Sequence, residues 1–588
     1  MKASQGLQDF SDWYQTLGFD DLPGDVVELA KLEVANELAA VYATLHTDRT
    51  TMESGEEEGD GSVTVEDELC GGSFSPEAGE YPVVGRGTAD LFSSYFLNSV
   101  RSIKYDYDDY LFMGHSGHSA VFGSLAVAPD HRSTRSFLRD VVAVNELGGR
   151  LGAASFVGPY NGQMWSYIHA AGCAAVSGSL MGDGAGDVMD SVCLSVSQPS
   201  LPVRDGFLAG DGKCLTAANS GVLGLRSGMM SSNGFSSDKR VFDEFLDEVS
   251  YLPLPELLSG FGESWVTRTL CFKPYPGCAY LQAPVELLDR EVVGAGGVES
   301  LRYGVSLPTV EMDRTSDNWI RTEPTAGVKR KGGAGKDAAG EKKVGDTGKG
   351  GDRGKREPNS VAVGFSVPHS VSAYLSGGGV DIRYLSESYL QDNWSEIESK
   401  AGSVDAVHDP ELTRDVVEGV AHELPVTDLL SERETVSVLR GLRKMSSQHR
   451  GSVSVWNMAR KSLGSETGNQ VDITGKARSF LCDASEFGEY IGSLSSGGNL
   501  DLAGVDFGEV RFDFGAKIEG DMSTGTVYSS VERHSGSCGE PLEEIRSVVK
   551  EKFLREYDRY YTDRDGRDAW NVVTDLENRG FEELLEII

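Results

Sequence analysis

Between residues 88 and 249 the chain reads as one helix after another, and the faces of several are built from glycine, alanine and serine. Apolar residues at helical spacing predict helices over 88–104, 119–128, 134–150, 162–181, 185–197, 214–231 and 240–249. Small side chains let helix backbones approach closely, so this run predicts a tightly packed helical core. An earlier start signal, Leu22-Pro23-Gly24-Asp25, is followed by Val26, Leu29, Ala30, Val34, Leu38 and Val41 at the same spacing.

The pattern changes after residue 285. Tyr303-Gly-Val-Ser-Leu and Val510-Arg-Phe-Asp-Phe-Gly alternate like strands, with helical stretches near 366–376, 410–422 and 427–445. This is a mixed α/β region. Residues 50–80 are acidic and glycine-rich and predict a mobile loop. Residues 323–358 hold Gly, Lys, Asp and Glu with almost no apolar side chains, which predicts a disordered insertion. From 541 the chain turns helical again. Leu542, Ile545, Val548, Val549, Phe553 and Tyr557 form a stripe suited to packing back on the first helices.

With 588 residues, the chain is long enough for more than one domain. Its net charge of −37 is spread along most of the length, which argues against nucleic acid and against an anionic membrane surface as partners. Such a charge suits a protein dissolved in concentrated salt, where screening removes self-repulsion, and so predicts a halophilic source, with an ordinary acidic cytosolic enzyme as the alternative. The eight cysteines form no Cys-x-x-Cys pair, so neither a disulfide framework nor a zinc site is expected. The first residues lack an apolar signal region, and no apolar run nears the roughly 18 residues of a membrane helix, so the chain is expected to be cytoplasmic.

Three segments hold residues suited to chemistry. The first is Tyr105-Asp106-Tyr107-Asp108-Asp109-Tyr110, followed by His115 and His118 in a Gly/Ser loop. Aspartate and histidine in one short loop can supply a general base and a general acid. The same acids could bind a hard cation, but neighbouring loops offer no further ligands, and no metal is expected. The second is Gly158-Pro-Tyr-Asn-Gly-Gln163-Met164-Trp165, polar and aromatic residues at a helix start that could line a pocket. His169, a turn inside that helix, reads as a core histidine.

The third feature is a pair of lysines. Lys213 lies behind glycines at the mouth of a small-residue helix, where free N–H groups and the helix dipole favour an anion. Lys273 lies in Cys-Phe-Lys-Pro-Tyr-Pro-Gly-Cys, a proline-stiffened loop that also carries Tyr275. Together they suggest a ligand with several carboxylates. Ordinary capping and snorkelling would also account for two lysines. No P-loop, dinucleotide-binding glycine triplet or Gly-x-Ser-x-Gly elbow is present.

In order and spacing these landmarks resemble the MmgE/PrpD family, which includes 2-methylcitrate dehydratase and cis-aconitate decarboxylase. The matching stretches are Leu22-Pro23 with Ala30-Lys31-Leu32, Thr88 to Asn98 leading into Asp106-Tyr-Asp-Asp109, and His115 before Leu125-Ala-Val-Ala128. Gly212-Lys213-Cys-Leu-Thr-Ala-Ala-Asn219, Phe272-Lys273-Pro-Tyr-Pro-Gly-Cys278 and Phe365-Ser366-Val-Pro-His369 follow. The likeness covers most of residues 5–290 and the remainder thinly. It implies an α+β fold with a large all-α helical domain (1–285), a smaller α/β lid domain (286–540, with the insertion 323–358) and C-terminal helices (541–588) returning to the helical domain. It also implies a homodimer and a site between domains that needs no cofactor.

Carried over by position, Asp106, His115, Lys213 and Lys273 would be the catalytic set. The lysines would hold substrate carboxylates. His115 would move a proton to a leaving hydroxyl or a carbanion carbon, with Asp106 orienting it or acting as base. Two departures stand out. Where many members carry a second histidine, this chain reads Asn161-Gly-Gln163-Met164-Trp165, and where many carry a tyrosine it has His369. His369 is expected to supply the missing imidazole from the lid side, and His118, Gln163, Met164, Trp165 and Tyr275 are expected around the substrate. The implied activity is a lyase that dehydrates or decarboxylates a small polycarboxylate. An isomerase or epimerase of a dicarboxylate, and a relative that only binds a carboxylate, are the alternatives.

Overall fold

The computed structural model describes residues 1–53, 79–127, 133–294 (apart from 157, 161 and 183), 297–322, 357–421 and 502–588. It is mostly helical with a small sheet region, an α+β arrangement. The expected acidic loop at 50–80 and helix at 427–445 fall wholly or mostly outside these residues. So does the insertion, except at its end. Glu357–Pro358 forms a short antiparallel ladder with Arg321–Thr322, so these two residues of the expected insertion are paired.

The predicted helices are found at Leu91–Ile103, Gly117–Ala126, Thr134–Ser155, Ser166–Met181, Ala185–Ser197, Leu215–Ser232 and Arg240–Val249. The first begins at 91 rather than 88 because the Asp90 carboxylate caps it, accepting from the backbone N–H of Phe92 (3.0 Å) and Ser93 (3.2 Å). A 3₁₀ turn, Gly162–Met164, delays the fourth to 166. The 166–181 and 215–232 helices pack backbone to backbone. A Cβ on Gly224 would lie 2.3 Å from the Ala170 carbonyl oxygen, and one on Gly228 would lie 1.9 Å from Ser177 Oγ. The small-residue faces are therefore a condition of this packing rather than a tolerance.

The long helix Gly24–Glu53 runs beside these and is covered by Leu542–Tyr560 from the far end of the sequence. Tyr42 stacks edge-on against Tyr557, with ring centroids 5.3 Å apart, and donates to the Ile587 carbonyl at 2.9 Å. Arg546 pairs with Glu28, and Lys31 donates to the Thr574 carbonyl at 2.9 Å.

A second hydrophobic core is built on a four-stranded sheet. In spatial order its strands are Gly525–Val531, Ala516–Met522, Val298–Val305 and Val404–His408. The first three are antiparallel neighbours, and the last pairs parallel to Val298–Val305. Helices Gln282–Glu291, Val367–Gly377 and Glu387–Ala401 contribute side chains to this core. The strand expected at Tyr303 is present. The one expected at Val510–Gly515 is not: the alternation there arises because Val510 and Phe512 pack into the first core, with Phe512 stacked on Phe112 at 6.4 Å. Pairing begins only at Ala516.

The two cores meet along the 24–53 helix, where Ala40 and Ala43 belong to the second, and at the loop that follows the 91–103 helix. Tyr105 and Tyr107 belong to the second core, whereas Tyr110, Leu111 and Phe112 belong to the first. No helix among the described residues is long and apolar enough to cross a membrane.

Candidate active site

The loop at the seam carries the acids. The Asp106 N–H donates to the Ile103 carbonyl (3.1 Å), closing the turn after the 91–103 helix, and Asp106 itself has φ +56°. This left-handed conformation is one that aspartate tolerates better than most residues. Past the turn, Asp109–Tyr110 pairs antiparallel with Cys271–Phe272. That pairing places Lys273 against the loop. Gly117 is required nearby, since a Cβ there would lie 2.0 Å from Asp109 Oδ1.

Lys273 is fully buried. Its ammonium donates to Asp106 Oδ1 (2.5 Å), Asp108 Oδ1 (2.6 Å) and the Asp106 carbonyl (3.1 Å). Lys213, also buried, donates to the Ile103 carbonyl at 2.9 Å and lies 3.5 Å from Asp106 Oδ2. The Phe365 ring lies over it at 5.6 Å. Gln163 Nε2 donates to Asp106 Oδ1 (2.8 Å) and lies 3.1 Å from Asp108 Oδ2.

His115 makes its described polar contacts through one nitrogen. Nδ1 faces Asp108 Oδ2 at 2.8 Å and the Asp109 carbonyl at 2.9 Å. Both are acceptors, so Nδ1 carries the proton and Nε2 has the lone pair in the neutral ring. The side chain is 11% exposed while its partner Asp108 is wholly buried. An imidazole oriented by a buried carboxylate and open at its other nitrogen is a usable proton carrier.

Beneath Asp108 lies a buried network. His118 Nε2 is 3.2 Å from Asp108 Oδ2, and its Nδ1 is 2.7 Å from Ser102 Oγ and 3.3 Å from Glu37 Oε2. Burial disfavours the His118 imidazolium, but Glu37 and Asp108 outweigh it and raise the group to about 9. Burial pushes the Asp108 carboxyl up, yet Lys273 and His115 hold it well below the usual range. Burial, then Glu33 and Glu37, hold Asp109 well above it, and burial does the same to Glu33. Burial and like charge thus bias Asp109 and Glu33 towards the neutral form, while Asp106, Asp108 and Glu37 lie against Lys273, Lys213 and His118.

His118 has a testable linkage. Its folded pKa of about 9 lies above the unfolded value of about 6.5. Its stabilisation is therefore fully present below pH ~6.5 and is lost as pH rises through ~9, an effect on the order of 3 kcal/mol. Lys552 nearby is pulled down to about 7, chiefly by burial, and works in the opposite sense over an overlapping range. The effect is therefore read as a difference. Urea unfolding of wild type and His118→Gln should show a stability gap that narrows from pH 6 to pH 9.5, and a gap independent of pH would contradict the assignment.

Asp106, His115, Lys213, Lys273 and Gln163 come together at this cluster. Asp106 does not orient His115, because both lysines hold its carboxylate; Asp108 does so instead. His118 joins the cluster from beneath, wholly buried and 3.2 Å from Asp108 Oδ2. Trp165 is buried in the first core, and Met164 packs against the second. The Tyr275 hydroxyl turns to Asp289 (3.2 Å). His369 bonds Ser366 Oγ within its own helical turn (3.0 Å) and stacks on Trp394 at 5.8 Å. His169 bonds Ser119 Oγ (3.2 Å), and burial with the charge of His118 holds it well below its usual pKa, consistent with a core histidine.

Asp108, Glu37 and Lys552 were not singled out from the sequence. Lys552 had a signal: with Ile545, Val549 and Glu556 it falls on the buried stripe of its helix, where a charge needs a partner.

Asp106, Asp108 and His115 bring ligand atoms within 4.8 Å of one another. The Lys273 ammonium already lies between the two carboxylates, at 2.5 and 2.6 Å, and supplies the positive charge a metal ion would bring there. No protein-family model and no curated protein matches the chain.

Proposed function

We propose that the chain is a lyase that removes water or carbon dioxide from a small polycarboxylate, with His115 moving the proton. The observation that carries this reading is the Asp108–His115 pair, with Nε2 unengaged, in one cluster with two buried lysines held on Asp106 and Asp108. The lysines differ in role. Lys273 is matched at short range by two carboxylates and acts as their counter-ion. Lys213 donates to the Ile103 carbonyl but has only a long ion pair, 3.5 Å to Asp106, so a substrate carboxylate can take the place of that pair with little loss. Phe365 from the second core covers Lys213, so entry requires opening at the seam. The MmgE/PrpD resemblance supports the same reading and supplies the candidate substrates.

The test is ultraviolet absorbance of the unsaturated acid, in high potassium chloride, with 2-methylcitrate, citrate and cis-aconitate in turn. A time-dependent change that is absent in Lys213→Ala is expected. The internal saturation of Lys273 favours one second reading, a protein that binds a carboxylate without converting it. Calorimetric binding with no absorbance or product change for any of these acids would replace the lyase with that reading.

A further inference from the structure

Asp106 and Asp108 both bind the Lys273 ammonium, while Tyr107 between them meets the 542–560 helix. Both polar ends of Tyr107 are taken by the 542–560 helix. The Lys552 ammonium donates to the Tyr107 carbonyl and to Asn36 Oδ1 (2.7 Å), and lies 3.7 Å from the centre of the Tyr107 ring. The Arg555 guanidinium donates to the Tyr107 hydroxyl, which itself donates to the Pro274 carbonyl at 3.0 Å. Arg555 also reaches that carbonyl at 3.4 Å. Pro274 follows Lys273 directly. One helix therefore holds both the segment that carries the aspartates and the segment that carries the lysine.

We infer that the 542–560 helix is the positioning element of the site: Lys552 and Arg555 grip Tyr107 at its two ends and thereby set Asp106, Asp108 and, through Asp108, His115. The inference rests on the reading of this cluster as an active site. A turn with a non-glycine residue at φ +56° needs its surroundings to hold it, and a buried lysine aimed at the next carbonyl does so. Neither residue touches the reacting atoms, so the effect passes through loop geometry.

The experiment uses the full chain with ¹⁵N-histidine. The His115 Nδ1–H bonded to Asp108 gives a low-field proton resonance, assigned by its loss in His115→Gln. In Lys552→Met this resonance should shift or vanish. On whichever acid the wild type converts, kcat should fall about 10²-fold with KM within about twofold, the pattern of a misplaced group. Should Lys552→Met not fold, Tyr107→Phe keeps the ring and removes only the hydroxyl contacts, and the same resonance should move. An unchanged resonance in a folded variant overturns the inference. If the wild type converts no acid, the lyase reading fails while the resonance still decides the positioning role.

Discussion

Lys273→Met should destabilise the protein by about 3–5 kcal/mol at neutral pH, the usual consequence of removing one partner from a buried charge group. Lys273 neutralises Asp106 and Asp108 together, and Asp108 is wholly buried. Without the ammonium these carboxylates have only Lys213, His115, His118 and the Gln163 amide. The pH dependence follows from Asp108, whose folded pKa lies well below the usual value, despite burial, chiefly because of Lys273. A depressed carboxylate stabilises above its unfolded pKa of about 4 and loses that contribution as pH falls through the folded value. The deficit of Lys273→Met should therefore be largest near pH 7 and shrink towards pH 3. Adding Asp106→Asn should restore part of the loss. Urea unfolding at both pH values decides this, and a deficit below about 1 kcal/mol at pH 7 would show that Lys273 is not the counter-ion of the cluster.

His115→Ala should leave the fold intact and lower kcat by about 10²–10⁴-fold, the range for a general acid–base group. The side chain lies at the edge of the network, and its removal leaves Asp108 paired to Lys273 and close to His118. Asp108→Asn should approach the same loss by a different route, since an amide cannot hold the imidazole in the required tautomer. A kcat within threefold of wild type in folded His115→Ala would remove this residue from the mechanism.

The helical part of the fold was legible because each helix carries its own periodicity; the boundaries moved where a cap such as Asp90 or a 3₁₀ turn such as Gly162–Met164 intervened, and also at Gly117–Ala126 and at Thr134–Ser155, which runs five residues past the predicted end. The sheet was less legible. Gly525–Val531 is an edge strand with little burial and hence little alternation to see, and Val510–Phe512 alternates for a different reason. Lys213 and Lys273 could be singled out because glycine and proline mark their loops, and the acidic loop with its histidines stood out as a whole, but the choice of Asp106 and His115 within it came from the family resemblance. The division of labour between Asp106 and Asp108 could not be singled out in this way. It depends on the turn at Asp106, which sends one carboxylate to two lysines and the other to His115. Lys552 and Glu37 acquire meaning only when opposite ends of the chain meet.

That meeting has a bearing on how the molecule comes into being. The 24–53 helix is among the first segments of the sequence, and its partner, the 542–560 helix, is among the last; Glu28 and Arg546 are 518 positions apart. Closing so long a loop must precede any gain from the contact, so the pairing belongs to the late steps of folding. Until then the Tyr42 side of the 24–53 helix is without its aromatic cover, and Tyr107 is without the two basic side chains that hold it. An intermediate in which the last helix has not yet docked lacks Ile545, Val549, Phe553 and Tyr557 from its first core, and it has the acids and lysines of the cluster without the contacts that hold Tyr107.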